Sequence, residues 1–256
     1  MWGLTMTNLN ELDLRLRAFV NAPDNFLDSI ALVNALHNIP VLASDQPYAL
    51  DIEGQKVTPV FSDKEDLETF KSEQASANDQ NWVERLTLDV LKEVIEKGLT
   101  GIVFNLKKTG DFGNSTIFKS SELIQFLNAY TTILNKLMGE ENLAADTLDK
   151  YYLVPAFVHP RDDKSFDRMF PTMSTPEGKS YVPAFSNLQS FAKWYNHKDF
   201  GTPFRNSQGS ILTWRLADIY QPGHGENDID ETVGVAINPF DDQQILVGWS
   251  EIDEDE

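Results

Sequence analysis

The sequence predicts an α+β fold of two tandem related modules, each a mainly antiparallel sheet of about five strands flanked by helices. Three observations predict it. An X-Pro-Val/Ala-Leu/Phe pattern recurs four times, as Ile39-Pro40-Val41-Leu42, Thr58-Pro59-Val60-Phe61, Val154-Pro155-Ala156-Phe157 and Val182-Pro183-Ala184-Phe185. Downstream, Thr100-Gly101-Ile102-Val103-Phe104-Asn105 answers Val233-Gly234-Val235-Ala236-Ile237-Asn238, and Ser121-Glu122-Leu123 answers Ser250-Glu251-Ile252. Strand patterns also come in groups, not one-for-one with helices. Because the matches keep one order, the chain reads as a copied unit, with modules over residues 1–140 and 141–256.

In each copy the first strand begins at a Pro motif, since proline lacks an N–H and suits strand starts and edges. A middle strand is expected at Tyr48 to Ile52 and at Phe166 to Met173. Glu53-Gly54 and Pro176-Glu177-Gly178 supply turn chemistry before the second Pro motif. The expected product is a three-stranded antiparallel meander. Ser62-Asp63-Lys64-Glu65 and Ser186-Asn187-Leu188-Gln189 fit the capping box S-x-x-E/Q, placing helix N-caps at Ser62 and Ser186. A second helix is expected from Trp82 to Lys97, with a counterpart from Leu212 to Tyr220 that stops before Pro222-Gly223. The Gly-led strand ending in Asn105 or Asn238 follows. A last strand lies near Thr116 to Phe118 or Ile245 to Val247. Two more helices are expected: Phe26 to His37, and a stripe of Leu123, Leu127, Tyr130, Leu134 and Leu137 stopped by Gly139.

Composition narrows the chemistry. The 256 residues contain no cysteine, so thiolate catalysis, disulfides and cysteine-ligated metals are excluded. With 40 acidic against 21 basic side chains the net charge is −19, which repels phosphate backbones and makes nucleic acid an unsuitable partner. No apolar run reaches the roughly 20 residues of a membrane span. The first residues also lack the basic and apolar regions of a secretory signal.

The Thr58-Pro59-Val60-Phe61-Ser62 segment, the Gly-led strand ending in Asn105 and the later Ser-Glu-Leu resemble the SseB N-terminal domain, a family named for an enhanced serine sensitivity phenotype. The second copy is similar through Tyr181 to Ser186 and through Gly234-Val235-Ala236-Ile237-Asn238-Pro239; Leu106 stands where the family pattern has the proline seen at Pro239. The resemblance spans roughly Asn10 to Ile252 as a tandem pair. It implies a bacterial, cytoplasmic protein without an established enzymatic activity. Some members of the family carry a secretion label, which would imply a chaperone or structural component.

Five residues are candidate binding residues: Asn105, Asn238, His159, Arg161 and Asp162. The two asparagines end equivalent strands, where such a side chain either bonds neighbouring backbone and tolerates a turn or lines a polar groove. His159-Pro160-Arg161-Asp162-Asp163 gathers a titratable ring, a guanidinium and two carboxylates in one loop. His224, in the acidic loop Gly223 to Glu231, is a second candidate, although that loop fits neither the EF-hand nor the H-E-x-x-H template. His37 and His197 follow or end helices and read as surface residues. Ser62 and Ser186 lack the G-x-S-x-G elbow of a nucleophile. No catalytic set, metal site or cofactor motif emerges. The expected function is a non-catalytic scaffold binding a protein or small ligand. The alternative is a small-molecule or metal-dependent enzyme using the His159 to Asp163 or His224 loop.

Overall fold

The computed structural model describes residues 5–162 and 164–253, with side chains from residue 9 onward. The chain is α+β and divides into two compact units, Met1–Thr132 and Ile133–Glu256. Asp163 and the acidic end 254–256 lie outside the described residues.

Unit 1 opens with α1 (Thr5–Asn21) and α2 (Phe26–Asn38). The Asn25 side chain caps α2 by accepting from the Leu27 and Asp28 amides at 3.0 and 3.3 Å. Strands β1 (Pro40–Ser44), β2 (Leu50–Ile52) and β3 (Gln55–Val60) follow, then α3 (Lys64–Glu73) and a 3-10 turn over Ala75–Asp79. Next come β4 (Trp82–Leu86), α4 (Thr87–Glu96), β5 (Gly101–Phe104), β6 (Thr116–Lys119) and α5 (Ser120–Met138), the last crossing the division at Thr132. The main sheet has the order β2-β3-β5-β6, in which only β3 and β5 run parallel.

The expected meander does not form. Strand β1 leaves the β2–β3 hairpin and pairs antiparallel with β4, and the Leu42–Phe61 bridge ties it to the residue after β3. The residues that pair with β1 are those read as the start of a helix. Trp82, Val83 and Leu86 sit at spacings that suit a short helix and a short strand alike, so periodicity cannot separate the two. The strand wins because β1 supplies partners for its backbone. α1 was also unanticipated, although Leu9, Leu12, Leu16 and Phe19 repeat at helical spacing and Leu12 and Leu16 are fully buried.

From β1 onward unit 2 repeats this element order and adds to it. α6 (Glu140–Ala144), β7 (Tyr152–Pro160), β8 (Phe166–Met169), β9 (Met173–Ser174) and β10 (Ser180–Ala184) precede α7 (Leu188–Tyr195) and α8 (Gly201–Asn206). β11 (Ser210–Trp214), α9 (Leu216–Tyr220), β12 (Glu226–Asp228), β13 (Gly234–Ile237), β14 (Ile245–Gly248) and α10 (Trp249–Asp253) complete it. β9, β10, β13 and β14 pair as β2, β3, β5 and β6 do, and β7 pairs with β11 as β1 does with β4. The helix expected from Leu212 is thus a strand first, for the same reason as at Trp82. The middle strand expected at Phe166 to Met173 divides into β8 and β9. β8 joins the longer β7, and β12 adds to β8 in parallel, giving the order β11-β7-β8-β12.

The shared motifs have packing explanations. Phe61 and Phe185 are fully buried, against Phe70 at 5.1 Å and Trp82 at 5.4 Å, and against Phe191 at 5.4 Å and Trp194 at 5.7 Å. Rings so placed add about 1 kcal/mol per pair beyond area burial. Gly101 and Gly234 lead their strands because a Cβ there would lie 2.0 Å from the Phe118 or Val247 carbonyl oxygen of the neighbouring strand. Among the described residues no helix is long and apolar enough to cross a membrane.

Candidate functional site

The strand-ending asparagines make the same clasp in both units. Asn105 and Asn238 take left-handed backbone, with φ of 51° and 50°. The Asn105 Oδ1 accepts from the Ser62 amide at 2.8 Å, and its Nδ2 donates to Ser62 Oγ at 2.8 Å and to the Asn114 carbonyl at 3.0 Å. The Asn238 Oδ1 accepts from the Ser186 amide at 3.0 Å, and its Nδ2 donates to Ser186 Oγ at 2.8 Å. Each clasp ties the end of β5 or β13 to the residue before α3 or α7. Asn105 is fully buried and Asn238 is partly buried.

The clasp also moves the helix caps by one residue. With the serine hydroxyl engaged by the asparagine, Asp63 and Asn187 become the N-caps, accepting from the Asp66 and Ser190 amides at 2.8 Å each.

Behind the Asn105 clasp lies a polar network confined to unit 1. Ser62 Oγ donates to Asp13 at 2.9 Å, and Asn114 Nδ2 donates to Asp13 at 2.5 Å and to Asp66 at 2.7 Å. Lys107, 7% exposed, pairs with Asp66 and donates to Asn114 Oδ1 at 2.9 Å. Arg17 bridges Asp13 and Asp111. Burial works against ionised Asp13, but hydrogen bonds from Asn114, Arg17 and Ser62 outweigh it and hold the carboxyl below the usual aspartate range. Burial raises Asp63, and the negative Asp66 and Asp13 add to the rise.

Carboxylate oxygens of Asp13, Asp63 and Asp66 lie within 4.8 Å of one another, a spacing that a cation could bridge. The Lys107 ammonium already supplies the positive charge, so a metal would have to displace it from Asp66. No sequence motif announces this network, because Asp13, Asp66 and Lys107 come from separate elements. Unit 2 keeps a smaller version, in which Asp241 accepts from Ser190 Oγ at 2.5 Å and pairs with Lys193 at 2.6 Å.

Asp63 is set against its neighbours, which makes a prediction. Its proton is held to higher pH in the folded state than in the unfolded chain, so ionised Asp63 opposes folding above that window. Asn187 shows that asparagine caps the equivalent helix. Asp63→Asn should therefore stabilise the protein by about 0.5 kcal/mol near neutral pH, a figure reduced for solvent screening. The gain should vanish near pH 3, where the native carboxyl is protonated. Urea midpoints at the two pH values check this; an equal gain at both would contradict the charge explanation.

In unit 2 the structure joins two segments that the sequence flagged separately. His159, Arg161, Asp167, Arg168, Glu226 and Asp230 line part of a cleft of about 480 Å³. Arg161 pairs with Asp167 at 2.6 Å and with Glu226 at 2.8 Å, and both contacts raise its already high pKa. Arg168 is buried; its guanidinium donates to the His224 carbonyl at 2.9 Å and lies 4.8 Å from the Trp214 ring centroid. His159 is exposed at the cleft wall, and the exposed Asp162 is not among the lining residues. His37 is partly buried, with Nε2 2.9 Å from Thr131 Oγ1, and His197 stacks on Phe240 at 5.1 Å. Asp167 and Arg168 were absent from the sequence-derived candidates, although Phe166 to Met173 was read as a strand, and Asn227 falls within the candidate loop Gly223 to Glu231.

No protein-family model matches this chain, and no curated protein matches it. Among solved structures the chain is similar to Anabaena Tic22, titled as protein transport, at 14% identity over 81% of this chain and 91% of that one, with a TM-score of 0.22. It is also similar to Tic22 from Plasmodium falciparum, at 12% identity over 80% and 90% of the two chains, with a TM-score of 0.19. Likenesses at those TM-scores carry no argument about this chain.

Proposed function

We propose that this chain is a non-catalytic binding protein, SseB-like and cytoplasmic, whose unit 2 takes an extended basic protein segment along β12. The observation that supports the reading is the outer edge of β12. Among the described residues the sheet order ends there, and Glu226 and Asp228 are exposed, Glu226 in its ion pair with Arg161, followed by the exposed Asp230 and Glu231. A free edge binds an extended segment through backbone hydrogen bonds, and side-chain charge selects which segment. An acidic edge repels a second acidic strand and admits a basic one. Nucleic acid is disfavoured by the same charge.

The test is fluorescence anisotropy with a labelled peptide of alternating lysine and valine, at low salt. It should bind the full chain, weaken as salt rises, and lose about tenfold in affinity with Glu226→Lys/Asp228→Lys. Asp89→Lys/Glu96→Lys, an equal charge change in unit 1, should retain most of the binding. Equal losses for the two double variants would reduce the effect to overall charge and overturn the reading. Turnover of a small molecule abolished by His159→Ala, without loss of fold, would favour an enzyme instead.

A further inference from the structure

A second cleft in unit 2 shares no residue with the β12 surface and does not depend on it. It encloses about 680 Å³ and is lined in part by Lys136, Glu140, Glu141, Asp149, Tyr151 and Arg215. Its volume falls in the range of small-ligand sites. The Lys136 ammonium lies 4.8 Å from the Tyr151 ring centroid, and the Arg215 guanidinium carbon lies 5.0 Å from the same centroid. Two groups so placed are at most about 10 Å apart, within about one Debye length at 0.1 M salt, so they repel one another. Neither forms an ion pair among the described residues, although carboxylates line the same cleft.

Tyr151 is pinned before any ligand arrives. Its amide donates to Asn142 Oδ1 at 2.6 Å, and Asn142 Nδ2 donates to the carbonyls of Leu137 and Tyr151 at 3.1 and 3.3 Å. That linkage joins the end of α5 to the start of β7 and leaves the Asn142 amide committed. The Tyr151 backbone is therefore held in place, with the two cations beside its ring. Glu140 and Glu141 occupy the first turn of α6, where negative charge suits the helix dipole.

The lining thus holds two cations beside the Tyr151 ring and a carboxylate pair in the first turn of α6. Counting Asp149, carboxylates outnumber cations in the lining, which disfavours a multiply charged anion such as phosphate. We infer that this cleft binds a zwitterion of the amino-acid or dipeptide class, with its carboxylate toward Lys136 and Arg215 and its ammonium toward Glu140 and Glu141. The ligand carboxylate would relieve the repulsion between the two cations, and its ammonium would answer the acidic wall.

The experiment is calorimetric titration of the full chain with the twenty amino acids and the matching Gly-X dipeptides. At least one should bind with a Kd below about 1 mM. For that binder, N-acetylation and C-amidation should each weaken binding about tenfold. Arg215→Met and Lys136→Met should weaken the free ligand by a similar factor but leave the amidated form within about twofold. Glu140→Gln/Glu141→Gln should do the reverse, sparing the acetylated form. All these side chains except that of Tyr151 are exposed, so the variants should fold normally. No binder in the panel overturns the inference, and so does a binder indifferent to all four substitutions. Inorganic phosphate binding as well as the best zwitterion would also overturn it, as a simple anion site.

Discussion

Asn105→Ala should destabilise unit 1 by about 3 kcal/mol, the sum of left-handed backbone strain and buried groups left without partners. The Ser62 amide would lose its acceptor, and the Asn114 carbonyl would lose its donor, in a place where Asn105 is fully buried. Asn105→Gly tolerates φ of 51° without strain and should recover about 1 kcal/mol of the loss. Asn238→Ala should cost less, because Asn238 is partly exposed and water can replace part of its clasp. Denaturant unfolding followed by tryptophan fluorescence reads all three, with each unit treated as its own transition. An equal cost at the two asparagines would show that burial does not set the difference.

Lys107→Met should cost about 3–5 kcal/mol near neutral pH, the usual result of removing one partner from a buried ion pair. The methionine fills similar volume but leaves Asp66 beside Asp13 and Asp63 with no ammonium among them. The cost should shrink below about pH 4, where protonation removes the like charges. The native network runs in the opposite sense. Asp13, held below its usual range, stabilises the fold above the unfolded aspartate range, and that contribution is lost as pH falls through its lowered value. Variant and native stabilities should therefore converge in acid. A cost independent of pH would mean that Lys107 acts through packing alone. The charge pair Lys193–Asp241 is more exposed, so Lys193→Met should show little of this effect.

Motifs that serve local geometry were legible in the sequence. Gly101 and Gly234, Asn105 and Asn238, and Phe61 and Phe185 recur in order, and each pair does the same work: close strand approach, a left-handed turn with a clasp, and an aromatic anchor. Each role demands one residue type at one place in the fold, so a copied fold shows it twice in the same order. The helix caps were displaced by one residue because the serine hydroxyl had a distant competitor for its hydrogen bond. Trp82 to Leu86 and Leu212 to Trp214 were misread because a short apolar run does not show which partner will satisfy its backbone.

The candidate sites divide along the same line. His159 and Arg161 could be named from one segment, which was expected to be a loop although His159 lies in β7, but their union with Glu226 depends on β8 and β12 joining the edge of β7. Asp13 and Asp66 are joined through Asn114, with Lys107 on Asp66, from α1, α3 and the loop after β5, and Lys136 and Arg215 both approach the Tyr151 ring from distant parts of the sequence. By itself the sequence determined the α+β class, the recurring strand punctuation, the absence of thiol chemistry and the acidic character of the chain. Only the tertiary structure decided which charges are paired, which edge is free and which cations converge. The first group follows from composition and from residue types that recur in order in the two units. The second follows from contacts between elements far apart in the chain, where spacing in sequence carries no distance information.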